Sequence, residues 1–166
     1  MRTALAGTVR AAARAPAFAA LALAALASLA GGCSRFAILH DPLSAAEHND
    51  LGVAYEAEGK PDLARREYKR ALQLDPRLVR PRVNLGNIEA AEGRWVRAEE
   101  WYRLALREAP ADADALNNLA IALVRQDKAL AEAEMLAQRA VGVGGARDSL
   151  YRATLAEVRA AREAKK

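Results

Sequence analysis

The stretch LGVAYEAEGKPDLARREYKRALQLDP, residues 51–76, comes round again 34 positions later as LGNIEAAEGRWVRAEEWYRLALREAP, residues 85–110. Leu51-Gly52, Tyr55, Gly59, Ala64, Tyr68, Ala71 and Pro76 map onto Leu85-Gly86, Glu89, Gly93, Ala98, Tyr102, Ala105 and Pro110. Seven of these eight positions hold the same residue, and only Tyr55 has changed, to Glu89. Each shared residue has a physical reason. Gly52 and Gly86 fall mid-helix, where Gly costs about 1 kcal/mol against Ala, so another helix is expected to come very close there. Ala64 and Ala71, like Ala98 and Ala105, lie seven apart and share one face of a second helix. Small residues there let two helices pack, with Tyr68 and Tyr102 filling the space between. Gly59 and Gly93 stand where the first helix ends, since Gly takes the left-handed cap conformation cheaply. Pro76 and Pro110 stop the second helix.

A step of 34 residues carrying L-G-x-x-Y, A-x-x-x-Y-x-x-A and P resembles the tetratricopeptide repeat. The resemblance covers about residues 45–146 and implies an all-α helical solenoid of three helix-turn-helix repeats, 45–78, 79–112 and 113–146. A capping helix and tail follow over 147–166. Ser44 with Glu47 forms a capping-box pattern that starts the first helix. Pro61 and Pro81 fall in first turns, and Asp112 is an N-cap for the third repeat. In that repeat Ala133, Ala137 and Ala140 fit the second-helix pattern only if the turn around 127–130 holds one extra residue. Val141–Ala146 (VGVGGA) is expected to be a loop. In the last helix, over about 148–163, Leu150, Leu155 and Val158 are expected to cover repeat three, with Arg152, Glu157, Arg159 and Arg162 in water. Three repeats are about the minimum for a stable stack, so the domain is expected to be complete.

The amino-terminal region reads differently. Arg2, Arg10 and Arg14 precede a twelve-residue apolar run, Phe18–Leu29, and the first acid is Asp41. That run is too short for a membrane span of about 20 residues, so residues 1–32 read as an export signal. Leu29-Ala30-Gly31-Gly32-Cys33-Ser34 resembles the lipobox of bacterial lipoproteins, with Ala30 where that family usually has Leu. The resemblance implies cleavage before Cys33, lipidation of its thiol and a lasting membrane anchor. Ser34 resembles the second residue of lipoproteins sent to the outer membrane. Residues 33–44 would be the lipidated Cys and a tether reaching at most ~35 Å. Phe36, Ile38 and Leu39 in it are apolar and either pack on the first repeat or lie in the lipid interface.

Composition narrows the function. The formal charge is +4, but three of the 25 basic residues are the leader arginines, which leaves 22 against 21 acids. Nucleic acid is therefore not an expected partner, and the charges interleave as on a solvated helical surface. One Cys excludes an internal disulfide. No HExxH, GxSxG, phosphate loop or Cys/His cluster is present, so neither a metal nor a cofactor is expected. A stand-alone hydrolase would need a nucleophile and base that the sequence does not supply.

The polar set that recurs is Asp50, Asn84 and Asn118, with Asn49 and Asn117 one position earlier and Asn87 three after Asn84. The resemblance implies that the first helix of each repeat lines a concave face, where these residues either hold an extended peptide or help stack neighbouring repeats. Arg80 and Arg125 map to the same face and would receive a carboxylate. No Lys lies on these helices, so the Lys-rich carboxylate clamp of some relatives is not matched. Trp95 sits where the family has a packing aromatic. Trp101 aligns with Glu67 and is either an exposed partner anchor or part of the packing between repeats. The expected protein is a lipid-anchored scaffold or adaptor at the periplasmic face of the outer membrane. It would bind a protein or peptide and would resemble assembly factors for pili or secretion channels. HDPLSAAEHNDLGVAYE also resembles the repeat region attached to some leader-cleaving cysteine peptidases, which leaves an accessory role to such a peptidase as the alternative.

Overall fold

The computed structural model describes residues 42–165; the leader, Cys33 and Phe36, Ile38 and Leu39 lie outside the described residues. The described chain holds seven helices and no strand: α1 Ala45–Ala57, α2 Pro61–Leu74, α3 Val79–Ala91, α4 Trp95–Glu108, α5 Ala113–Arg125, α6 Leu130–Val143 and α7 Asp148–Glu163. They pack as successive pairs, α1 with α2, α3 with α4 and α5 with α6, while α7 lies against α6 and α5. This is the helical solenoid that the 34-residue step predicts. The capping box forms in full: the Ser44 backbone N–H donates to Glu47 at 2.7 Å, and the Glu47 N–H donates to the Ser44 hydroxyl at 3.3 Å. Asp112 accepts from the Ala115 N–H at 2.9 Å and caps α5.

The repeated glycines have a more specific cause than helix–helix approach. A Cβ on Gly52 would lie 2.4 Å from Cε1 of Tyr68, and a Cβ on Gly86 would lie 2.4 Å from Cε1 of Tyr102. It is the partner helix's tyrosine ring that fills the missing Cβ's place. Tyr68 and Tyr102 are accordingly buried, along with Ala64, Ala71, Ala98 and Ala105.

Repeat three uses the same register with one residue more. The first two turns between paired helices have Gly59 and Gly93 at φ +70 and +72, with Glu58–Lys60 and Glu92–Arg94 as the linking residues. In the third, Asp127 takes the left-handed position at φ 55, and the extra residue, Ala129, is left-handed as well at φ 48. Ala133, Ala137 and Ala140 are then fully buried, as the offset pattern requires.

Two expectations are corrected. Val141–Ala146 is not all loop: α6 runs through Val143, and the chain turns at Gly144 and Gly145, both at positive φ. A helix continues there because Ala140 and Val141 still have core to pack against. In α7 the buried stripe is Tyr151, Thr154 and Val158, with Leu155 partly buried, whereas Leu150 is 48% exposed. Tyr151 wins the inward place because its hydroxyl reaches the Asp114 carboxylate at 2.8 Å.

Candidate functional site

The first helices of the pairs, α1, α3 and α5, are joined by side-chain amides. Asn84 Nδ2 donates to Asn49 Oδ1 at 3.2 Å, linking α3 to α1. Asn118 Nδ2 donates to Asn87 Oδ1 at 2.9 Å, linking α5 to α3. The Tyr102 hydroxyl also donates to Asn87 Oδ1, at 3.0 Å, so the buried tyrosine of repeat two holds that amide in place. Asn49 donates in turn to Asp50 at 3.3 Å. Each Asn carries two N–H donors and one carbonyl acceptor. With these bonds made, no hydrogen bond within the described residues uses the acceptor of Asn84 or the donors of Asn87. These two groups stand one turn apart on α3.

Beside Asn87 and Asn118 lies a groove of about 280 Å³, lined also by Ala90, Ala91, Trp95, Tyr102 and Ile121. Its walls are apolar with a few convergent polar groups, as in sites that take a side chain and fix its backbone. Trp95 and Ile121 contribute to it without having been expected there. The signal in the sequence is that Ile121 falls one turn after Asn118 on the same face.

The other expected site residues divide. Arg80 is ion-paired with Asp114 at 3.0 Å and lies 3.8 Å from Asp112, and Arg125 pairs with Glu157 of α7 at 3.3 Å. A ligand carboxylate at either arginine competes with a resident one. Asn117 is only 1% exposed and donates to Asn118 Oδ1 at 3.2 Å, so it supports its neighbour and offers nothing to a peptide. Its own Oδ1 is buried without a partner among the described residues. Trp101 is half-buried and packs with Leu72 and Tyr55 against the cluster of Ala64, Tyr68, Leu85 and Ile88. It thus takes the packing role between repeats one and two. His48 is buried, with Nδ1 2.7 Å from the Glu67 carboxylate, and ties α1 to α2.

Charged groups elsewhere fasten one repeat to the next. Glu99 of α4 accepts from Gln126 at 2.9 Å and Arg103 at 2.9 Å, and pairs with Lys128 at 2.7 Å. Burial raises the pKa of this carboxyl, but the three partners outweigh burial and hold it at about 2. Asp114 accepts from Tyr151 at 2.8 Å, Arg147 at 3.1 Å and Arg80 at 3.0 Å. Burial pushes its pKa up, and the Tyr151 and Arg80 hydrogen bonds and the Arg147 charge bring it below the ordinary carboxylate value.

Comparison with known proteins agrees with this architecture. The tetratricopeptide repeat model matches residues 35–79 and 49–113. The first TPR of Spaghetti (RPAP3), solved bound to the HSP90 peptide SRMEEVD, superposes with a TM-score of 0.66 at 20% identity, over 76% of this chain and 98% of that one. Pseudomonas aeruginosa pilF superposes with a TM-score of 0.63 at 25% identity, over 71% of this chain and about half, 53%, of that one. No curated protein sequence matches the chain. The described domain is a tetratricopeptide repeat solenoid, and its class is that of protein-interaction modules.

Proposed function

We propose that this protein is an adaptor that holds an extended segment of a protein partner along α1, α3 and α5. The observation that carries the reading is the pair on α3: Asn84 with an acceptor to offer and Asn87 with donors to offer, both oriented by bonds to α1, α5 and Tyr102. A peptide backbone presents one donor and one acceptor per residue, so these amides match it without reading its sequence. The adjoining groove takes an apolar side chain. Asp50 at the α1 end and the ion-paired Arg80 and Arg125 add selectivity at the edges. The Cys33 lipid would place the module on the periplasmic face of the outer membrane, as an assembly factor for a pilus or secretion system. The lipobox-like leader supports the anchor, and the likeness to a bacterial protein, pilF, supports the setting.

The test is affinity capture from detergent-solubilised native membranes, followed by mass spectrometry. Wild type is compared with Asn84→Ala/Asn118→Ala and with Ile121→Arg, each first shown folded by circular dichroism. A partner that is held by wild type and lost from both variants supports the reading. A partner retained by both moves the interaction off this face.

A further inference from the structure

The internal repeat exposes a difference on the opposite set of helices. Leu72 of α2 and Trp101 of α4 pack against the cluster of Ala64, Tyr68, Leu85 and Ile88 that joins repeats one and two. Applying the 34-residue step, and 35 after the extra residue at the third turn, Leu72, Leu85 and Trp101 become Leu106, Leu119 and Leu136. Those three leucines form the floor of a notch of about 440 Å³ between α4 and α6. At this notch Leu136, only 7% exposed, stands where repeat two has an indole. Arg103, Arg107, Arg139 and Glu132 complete the lining.

The charges at this rim do not cancel. Arg103 forms a fork with both oxygens of Glu132, at 2.8 and 3.1 Å, so those two neutralise each other. Arg139 donates to the backbone carbonyl of Pro110 at 2.6 Å, a neutral acceptor. Arg107 is exposed and has no carboxylate within ion-pair distance among the described residues. Two guanidinium charges thus flank an apolar floor whose counterpart in the neighbouring repeat is filled by tryptophan.

We infer that this notch is a second docking site, for an aromatic side chain flanked by carboxylates on a protein partner. The ring takes the place that Trp101 takes between the first two repeats. The neighbouring carboxylates meet Arg107 and Arg139, where a planar fork recognises them bidentately. Buried aromatic anchors with arginine partners are the pairs that dominate interface energetics. The site is separate from the amide face on α1, α3 and α5, so one protein could hold two segments at once.

The probe is the peptide acetyl-Asp-Trp-Glu-amide, titrated against the full chain and followed by amide NMR shifts. Saturable shifts are expected around Leu106, Leu119 and Leu136, with at least tenfold weaker binding of acetyl-Asp-Ala-Glu-amide and acetyl-Asn-Trp-Gln-amide. Leu136→Trp, which fills the notch as Trp101 fills its counterpart, should abolish binding. Arg107→Glu/Arg139→Glu changes only the rim and should weaken it at least tenfold, which keeps the test valid should Leu136→Trp misfold. Asn84→Ala/Asn118→Ala should bind like wild type. Shifts that map to the α3–α5 groove, binding that survives both notch variants, or no saturable binding up to millimolar peptide would each overturn the assignment.

Discussion

Gly86 and Tyr102 are a matched pair: a methyl group on Gly86 would sit 2.4 Å from the ring of Tyr102, which is itself buried. The pair decides the sign of a substitution that helix propensity alone gets wrong. Gly86→Ala gains about 1 kcal/mol in propensity. It also forces the ring or the helix to move, and overpacking of this kind costs about 1–3 kcal/mol. The predicted net effect is destabilisation of up to about 2 kcal/mol, measured by urea unfolding. Tyr102→Ala should cost about 3–5 kcal/mol. In that background Gly86→Ala should become stabilising, because the ring it would meet is gone. A same-signed effect in both backgrounds contradicts the pairing.

Glu99 makes acid sensitivity a property of the joint between repeats two and three. Its folded pKa of about 2 lies below the ordinary glutamate value of 4.5. A carboxyl depressed on folding stabilises the protein above its unfolded pKa and loses that contribution as pH falls through the folded one. The window is therefore about pH 4.5 down to about 2. Glu99→Gln should destabilise at pH 7 by about 1.5–3 kcal/mol, the range for hydrogen bonds to a charged group. It should also flatten the fall in unfolding free energy across that window. An unchanged pH profile would show that Lys128, Gln126 and Arg103 do not hold the charged form.

Much of this was legible in the sequence, and the reasons are particular. Gly59, Gly93 and the alanine pairs encode local geometry that recurs, so a fixed step reveals them. The extra residue of the third turn was visible because Ala133, Ala137 and Ala140 keep their spacing while shifting by one. The conformation of that turn was not visible, since Asp127 and Ala129 are left-handed, a region uncommon for residues other than Gly and Asn. The α7 stripe was misplaced because Leu150 and Tyr151 are both apolar enough to face inward. Only the tertiary bond from Tyr151 to Asp114 separates them. The amide face was legible as a recurrence, but Asn117 sits on it in sequence and under it in space.

The contact between Asp114 and Tyr151 fastens α7 to the third repeat. Tyr151→Phe removes one hydroxyl and should cost about 1 kcal/mol. Asp114→Ala leaves the buried hydroxyl without its acceptor and should cost about 2–3 kcal/mol. Hydrogen exchange should rise first in residues 148–163, ahead of α1 to α4, because α7 has only α5 and α6 to lean on. Uniform loss of protection along the chain would mean that α7 is not a separable cap.

Cys33 should decide where the protein resides. Cys33→Ser removes the thiol that a diacylglyceryl group would occupy, and with it the buried CH₂ groups at ~0.8 kcal/mol each. Fractionation of bacterial cells should move the protein from the membrane pellet to the soluble periplasm, and the mature mass should lose its acyl groups. The repeats should stay folded, since the described helices make their own cores. Wild-type protein recovered in the soluble fraction would rule out the lipid anchor.

Asn117 offers a way to separate stability from binding on the candidate face. It occupies the register of Val83, 34 residues earlier, and both side chains are buried. Val83 needs no hydrogen bond, whereas the Asn117 acceptor is buried without a partner among the described residues. An unsatisfied buried acceptor costs about 1–3 kcal/mol. Valine and Asn have about the same helix propensity, but the bond to Asn118 is lost. Asn117→Val should therefore stabilise the domain by about 0.5–1.5 kcal/mol in urea unfolding. It frees the Asn118 acceptor, which then joins the acceptor of Asn84 and the donors of Asn87 on the amide face. A partner that binds through those amides should be held at least as tightly by Asn117→Val as by wild type. Loss of the partner from this more stable variant would place Asn117 itself in the contact and require the helix to open for binding.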